Sequence, residues 1–301
     1  MTDTESRTEP WSHHEAAVNG VRLHYVEAGS GPLVILLHGF PEFWYSWRYQ
    51  IPVLAAAGYR VVAPDMRGYN ISEKPAGVRG YLIDTLTDDV AELISHLGET
   101  KAVVAGHDWG GGVAWYVPMR HPAIVERLIV LNAPHPGAFA RELRTLRQMR
   151  KSWYMLFFQL PWLPEALIRA RGYALLDRVM RTDPVRRDAF SDADIRRYKR
   201  ALSRPGALTA AINYYRALFR RDPREAMQEP ATISCPTLLI WGDQDRYLGV
   251  PLTEGLEQWV PAIRVERIPE ASHWVQIDAP ERVNALMLEF LQSGSLIPRV
   301  D

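Results

Sequence analysis

An aspartate stands at the centre of a glycine-rich turn in the segment GHDWGG, residues 106–111. The segment directly follows the apolar run KAVVA, which predicts a buried strand. Gly106, Gly110 and Gly111 suit a sharp strand-to-helix turn that raises its central side chain above the edge of a sheet. Such turns often carry a serine, but this one carries Asp108. A carboxylate with a reference pKa of ~3.9 is ionised at neutral pH, so it can attack a saturated carbon and form an ester.

Cleavage of an aspartyl ester by water needs a base and a group that orients the base. His273 lies in a loop of the segment EASHWVQIDAPERV, just before a helical pattern. Asp243 and Asp245 follow the predicted strand LLIWG, and Asp245 is preferred as the orienting acid because it lies further past the strand end. The order Asp108, Asp245, His273 is the nucleophile, acid and base order of α/β-hydrolases. Helix capping is the alternative role for Asp108 on its motif alone, and the two partners favour the nucleophile.

Two backbone N–H groups are candidates for an oxyanion hole, which must lie near the nucleophile. The tetrapeptide HGFP at residues 38–41 follows an apolar run, and the N–H of Phe40 could face the site. The N–H of Trp109 would be the second donor. Pro41 suits a fixed turn, of which a cis peptide bond is one form.

Five continuous apolar runs must position these side chains. Runs of this kind suit strands that are buried on both faces of a parallel sheet. A helical pattern at residues 82–98 and others like it lie between the runs, and this alternation predicts an α/β fold. The runs are PLVILLHGF, YRVVAPDMRG, KAVVAGHDWGG, VERLIVLNAPHP and CPTLLIWGDQD.

Residues 135–230 interrupt the alternation. They read as several helices without a buried strand, which predicts a helical cap inserted into a core of residues 1–134 and 231–301. The segment holds 20 Lys+Arg and 10 Asp+Glu, a net charge of +10, and the rest of the chain carries −10. A solvated helical exterior explains the basic charge most simply. Attraction of anionic substrates or of a lipid surface is the alternative.

The combination of HGFPEFWYSWR, DMRGYNIS, GHDWGG, WGDQD and ASHW resembles the soluble, bacterial-type epoxide hydrolases of the α/β-hydrolase superfamily. The resemblance spans roughly residues 18 to 290. It implies paired acidic tyrosines from WYMLFFQ and LTAAINYYRALFR, which are Tyr154 and Tyr215 here. Tyr214 precedes the matching position, and helical geometry turns it about 100° away. Asn70 replaces a glycine of many relatives, and asparagine tolerates the left-handed backbone.

The resemblance implies that hydrophobic or aryl epoxides are opened to vicinal diols through an Asp108 ester. His273 would activate the water, Asp245 would orient His273, and no metal or cofactor would be required. Epoxide opening releases a basic alkoxide, so it needs the acid that Tyr154 and Tyr215 would supply. The predicted substrate-lining residues are Phe40, Trp109, Trp153, Met155 and Phe158.

Other chemistry on the same triad remains open. A haloalkane or haloacetate dehalogenase would share Asp108, Asp245 and His273, but a halide leaves without a proton and gives paired tyrosines no use. Haloalkane enzymes often have asparagine in place of Phe40, and fluoroacetate enzymes typically have arginine in place of Trp109. A catalytically silent receptor on this fold is a further alternative. A serine esterase is disfavoured because the turn holds no serine.

The composition of the chain limits its classes of partner and its cellular location. Lys+Arg and Asp+Glu both number 35, so nothing indicates nucleic acid. Cys235 is the only cysteine, which favours a reducing cytoplasm. The polar start MTDTESRTEPWSHHEAAV predicts no signal peptide, and no run approaches the ~20 apolar residues of a membrane span. A monomer and a homodimer are both open, as are detoxification, lipid-epoxide metabolism and carbon-source catabolism.

Overall fold

The computed structural model describes residues 9–220 and 230–293 of the 301-residue chain. Within these residues, eight strands form one sheet in the order β1-β2-β4-β3-β5-β6-β7-β8. The hairpin β1–β2 is antiparallel, and β2 pairs antiparallel with β4. The strands β3 to β8 all run parallel to one another. The strands are β1 (Ser12–Val18), β2 (Val21–Ala28), β3 (Leu33–Leu37), β4 (Arg60–Pro64), β5 (Ala102–His107), β6 (Val125–Leu131), β7 (Thr237–Gly242) and β8 (Ile263–Ile268).

The continuous apolar runs of the sequence form the central strands of the sheet. Every residue of β3, β5 and β7 is buried, because helices cover both faces of a parallel sheet. Leu37 at the end of β3 lies opposite Gly106 near the end of β5. This register brings the loop that follows β3 beside the turn that follows β5. The predicted α/β fold with a mostly parallel sheet is confirmed.

Helices flank the sheet and fill the long connection between β6 and β7. From residue 135 to residue 220 the described chain contains helices α4 to α9 and no strand. The predicted cap extends to residue 230, and residues 221–229 of it lie outside the described residues. The α-helices are α1 (Ile51–Ala56), α2 (Ile83–His96), α3 (Asp108–Arg120), α4 (Pro136–Glu142), α5 (Leu146–Lys151), α6 (Trp153–Phe157), α7 (Leu163–Thr182), α8 (Asp192–Leu202), α9 (Ala207–Leu218), α10 (Val275–Asp278) and α11 (Pro280–Gln292).

None of the helices in the described ranges combines the length and the apolar character that crossing a bilayer requires. The longest, α7, is interrupted by non-helical backbone at residues 170–173. The amphipathic α2 shows the usual arrangement of a helix that packs on a sheet. Its apolar side, with Leu86, Val90 and Leu93, is buried.

Candidate active site

Asp108 lies on the turn between β5 and α3, as the first residue of the helix. Its φ of 50° is left-handed, a conformation that aspartate adopts more readily than most residues. The turn is closely packed. A Cβ added to Gly106 would lie 2.2 Å from the carbonyl oxygen of Gly110, and one added to Gly110 would lie 2.2 Å from that of Leu37. Glycine at both positions therefore allows the carboxylate to stand at the edge of the sheet.

His273 lies between two carboxylates. Its Nδ1 is 2.7 Å from Oδ2 of Asp245, and its Nε2 is 3.4 Å from Oδ2 of Asp108. Burial disfavours the charged imidazolium, but the charge of Asp245 and the contact with Asp108 outweigh burial and hold the pKa of His273 well above its ordinary value. Burial likewise opposes ionisation of Asp108, yet the hydrogen bond and charge of His273 lower the pKa of that carboxyl.

Asp245 is fixed by four hydrogen bonds. Its Oδ1 accepts the backbone N–H groups of Tyr247 at 2.7 Å and Leu248 at 2.9 Å, and its Oδ2 accepts Nδ2 of Asn132 at 2.9 Å besides the His273 ring. Burial raises the pKa of the Asp245 carboxyl, but the charge of His273 and these donors bring it below the usual value. Sequence reasoning missed Asn132, although it directly follows the strand β6.

Asp243 lies elsewhere. Its carboxylate pairs with the guanidinium of Arg267, with N–O distances of 2.7 and 2.8 Å. The structure therefore brings Asp245, and not Asp243, to the histidine.

The N–H of Phe40 donates to Oδ1 of Asp108 at 2.7 Å. The Phe40–Pro41 peptide bond is cis. A Cβ on the preceding Gly39 would lie 2.4 Å from Cβ of Asp108, so the two turns are in direct contact. Trp109 is the second residue of α3, where backbone N–H groups have no partner within the helix. The structure thus brings the Phe40 N–H to the carboxylate, and the role of the Trp109 N–H stays a prediction.

A second histidine, His107, contacts the backbone of His273. The ring of His107 is fully buried, with Nε2 2.8 Å from the carbonyl oxygen of His273 and Nδ1 2.8 Å from Oε2 of Glu42. The carbonyl oxygen can only accept, so Nε2 carries a proton. Sequence reasoning missed both residues, although they lie within the motifs HGFPEFWYSWR and GHDWGG.

Tyr154 of α6 and Tyr215 of α9 lie near each other and near the nucleophile. Their ring centroids are 5.8 Å apart, and the Tyr215 ring lies 5.4 Å from Phe40 and 4.9 Å from Trp109. Burial first, and then the negative charge of Asp108, raises the pKa of each tyrosine. Both phenols are therefore protonated at neutral pH and can donate hydrogen bonds.

Tyr214 is turned away, as helical geometry predicts. Its hydroxyl donates to the carbonyl oxygen of Arg67 at 2.8 Å, on the side of the core. Asn70, a departure from the resemblance, has a left-handed φ of 40°. The turn therefore keeps its form without glycine.

The predicted substrate-lining residues divide into two groups. Phe158 is buried, with its ring 4.8 Å from Tyr215 and 5.6 Å from Phe40, and Met155 is buried nearby in α6. Trp153 is 62% exposed, and its ring contacts Phe157. The structure therefore does not bring Trp153 to the nucleophile. Trp153 is the first residue of α6 and lies on its outward side, one residue before Tyr154.

The residues brought together can perform nucleophilic substitution followed by hydrolysis. An ionised carboxylate faces two phenols that can donate protons, and a carboxylate-bound histidine can then activate water. Across residues 9–220 and 230–293, no cluster of three or more His, Cys, Asp or Glu side chains is arranged to hold a metal ion.

The chain is similar to several known proteins. A family model described as the alpha/beta hydrolase fold matches residues 32–280. The AB hydrolase superfamily protein YfhM of Bacillus subtilis is 45% identical over 282 residues, covering 91% of this chain and 96% of that protein. Epoxide hydrolase 1 of Caenorhabditis elegans is 41% identical over 290 residues, covering 94% and 71%. The crystal structure of the Bacillus megaterium epoxide hydrolase with an inhibitor has a TM-score of 0.86 and 35% identity, covering 93% and 100%.

Proposed function

Since this chain belongs to the α/β-hydrolase family and within it to the epoxide hydrolases, we propose that it opens hydrophobic or aryl epoxides to vicinal diols through an Asp108 ester. The single observation that supports the mechanism is that Tyr154 and Tyr215 lie near each other and close enough to Asp108 for its negative charge to raise the pKa of both phenols. A carboxylate nucleophile with nearby phenol acids suits the opening of a strained three-membered ring. The buried rings around them favour apolar substituents.

In the first step the Asp108 carboxylate attacks an epoxide carbon. A carbon–oxygen bond of the ester forms while the carbon–oxygen bond of the ring breaks. Tyr154 and Tyr215 donate hydrogen bonds to the departing oxygen, and one of them transfers its proton. The Phe40 N–H holds the carboxylate in place during the attack.

Ester formation also prepares the second step. In the free enzyme, the negative charge of Asp108 and its contact with His273 help to keep the histidine protonated. The ester is neutral, so that support is lost and the pKa of His273 falls. The histidine can then pass its proton through solvent to the tyrosinate and act as a base, while Asp245 still orients the ring.

In the second step His273 takes a proton from water, and the hydroxide attacks the ester carbonyl carbon. The N–H groups of Phe40 and Trp109 stabilise the oxyanion. Collapse of the tetrahedral intermediate breaks the bond between the Asp108 carboxyl carbon and the ester oxygen, so the diol keeps that oxygen and takes up the proton of the new carboxyl group. Asp108 is then ionised and His273 protonated, as in the free enzyme, with one water consumed.

Helices α4 to α9 then act as a cap, because they supply Tyr154 and Tyr215 while the sheet edge supplies the triad. We place the boundary of this cap at residues 135–230.

The test is turnover of racemic styrene oxide by the parent and by Asp108→Ala, with fluoroacetate and a short haloalkane run in parallel. Diol from the parent alone, without halide from the other substrates, supports the proposal. Halide release without diol would show that the triad serves a dehalogenase. His273→Gln should accumulate the ester, visible as an intact-mass increase equal to the substrate mass.

A further inference from the structure

The helices α5 and α6 present a row of apolar side chains to solvent. Each is between 44% and 71% exposed. Their successive spacing of three, four, three and four residues places them on one side of a helical segment. We call this row the apolar stripe; its members are Leu146, Met149, Trp153, Leu156 and Leu160.

The inward side of the same segment holds it to the rest of the protein through polar contacts as well as through the buried Met155 and Phe158. Gln148 is buried, donates to the carbonyl oxygen of Tyr247 at 2.9 Å and accepts the N–H of Gly249 at 3.1 Å. Gln159 donates to the carbonyl oxygen of Tyr215 at 3.0 Å. A helix on a protein surface normally buries its apolar side. Here apolar side chains also lie on the side that faces away from the protein, and they form the apolar stripe.

Basic residues accompany the stripe. Arg144, Arg147 and Arg150 are exposed in and beside α5. Glu165 is the only acidic residue between positions 143 and 171, and it is buried and paired with Arg216 at 2.7 Å. The exposed basic charge therefore has no acidic neighbour along this stretch of sequence.

A groove continues the surface beyond the stripe. Its volume is about 680 Å³, and its lining includes Trp162, Arg169 and Arg220. The Trp162 side chain is 72% exposed. Guanidinium groups beside an exposed indole match an anionic head group that lies above an apolar phase.

We propose that the apolar stripe and its arginines dock this protein on an anionic lipid surface. Tryptophan and long aliphatic side chains enter the interfacial zone of a bilayer, and basic residues beside them are attracted to acidic head groups. A second copy of the chain fits less well. A two-fold interface would place the same patch against itself, and its arginines would then face one another. This docking is independent of the proposed reaction.

The first test is flotation of the purified full chain with phosphatidylcholine vesicles that contain or lack phosphatidylglycerol. Binding is expected only to the anionic vesicles. Leu156→Ser should lower the partition coefficient about tenfold, from the lower range for burial of a leucine side chain. Leu175→Ser in α7, which also replaces an exposed leucine, is the matched control and should bind like the parent.

The second test removes charge. The double variant Arg147→Gln/Arg150→Gln should bind about 30-fold more weakly, at ~1 kcal/mol for each basic residue near the surface. Arg196→Gln/Arg200→Gln, on the exposed side of α8, removes the same charge and should have little effect.

Absence of binding to anionic vesicles, or equal losses in the control variants, would overturn the proposal. A concentration-dependent dimer that Leu156→Ser dissociates, without vesicle binding, would assign the stripe to a second copy instead. Turnover of a dissolved epoxide is measured separately, so failure of docking and failure of the proposed reaction give different results.

Discussion

Replacing Tyr215 by phenylalanine removes one hydroxyl and keeps the ring that packs against Phe40 and Trp109. In the proposed first step this hydroxyl donates to an oxygen that becomes an alkoxide. A hydrogen bond to a charged group contributes about 1.5–3 kcal/mol. Its loss should slow ester formation about 10- to 150-fold, at ~1.4 kcal/mol for each factor of ten. Tyr154 keeps part of the acid function, so the double Tyr154→Phe/Tyr215→Phe variant should be slower still.

Single-turnover kinetics can separate ester formation from ester hydrolysis. Trp109 lies beside both the nucleophile and Tyr215, so its fluorescence should report formation of the ester. Mixing excess enzyme with styrene oxide in a stopped-flow instrument gives the first rate, and diol release in a quenched-flow experiment gives the second. Tyr215→Phe should lower the first rate and leave the second nearly unchanged.

Tyr214→Phe is the matched control. It removes a hydroxyl from the adjacent residue of α9, where the partner is the carbonyl oxygen of Arg67. Its expected cost is about 1 kcal/mol of folding stability with no change in ester formation. If both variants slow ester formation equally, or if Tyr215→Phe slows only hydrolysis, the acid role of Tyr215 is refuted.

The remaining predictions concern the triad. Asp245→Asn should slow ester hydrolysis by more than tenfold and leave ester formation largely intact, whereas Asp243→Asn, which loses only the pair with Arg267, should match the parent in the same assay. His273→Gln should form the ester and release almost no diol. Intact mass spectrometry after substrate addition measures the accumulated ester. Prompt diol release without an ester would show that His273 is not the base. The pKa of His273 is raised on folding, so its protonated form contributes stability that is complete below the unfolded pKa of ~6.5 and is lost as pH rises through the raised value. Asp108→Ala removes one source of that shift, so urea unfolding should show a smaller loss of stability from neutral to alkaline pH than in the parent; equal losses would contradict the coupling.

The apolar runs predict most of the sheet, and the order of residues along the chain predicts the triad. Asp108 and Asp245 come shortly after apolar runs, and the ends of parallel strands meet at one edge of a sheet. His273 follows β8, which is not one of those runs, and it was predicted from its place after Asp108 and Asp245 along the chain. Tyr154 and Tyr215 lie in helices without such a rule, and they came only from the resemblance.

The supporting residues could not be found in this way. Asn132 reaches Asp245 because β6 and β7 are neighbours in the sheet, although the two residues are 113 positions apart. Glu42 and His107 meet for a similar reason across β3 and β5. The prediction that Trp153 lines the site was wrong, because the sequence alone does not show which side of a five-residue helix faces inward. Here α6 begins at Trp153 itself, directly after Ser152.

The contact between Gly39 and Asp108 has a consequence for how such an enzyme can diversify. Neither of the two turns can accept a larger side chain without displacing the other. We therefore expect the turn with Gly39 and the turn with Asp108 to change together or not at all. The helices between β6 and β7 touch these turns through side chains such as Phe158 and Tyr215. Substrate range can therefore change in these helices while the reaction itself is preserved. Libraries randomised in α6 and α9 outside the two tyrosines should keep far more active members than libraries randomised in the two turns.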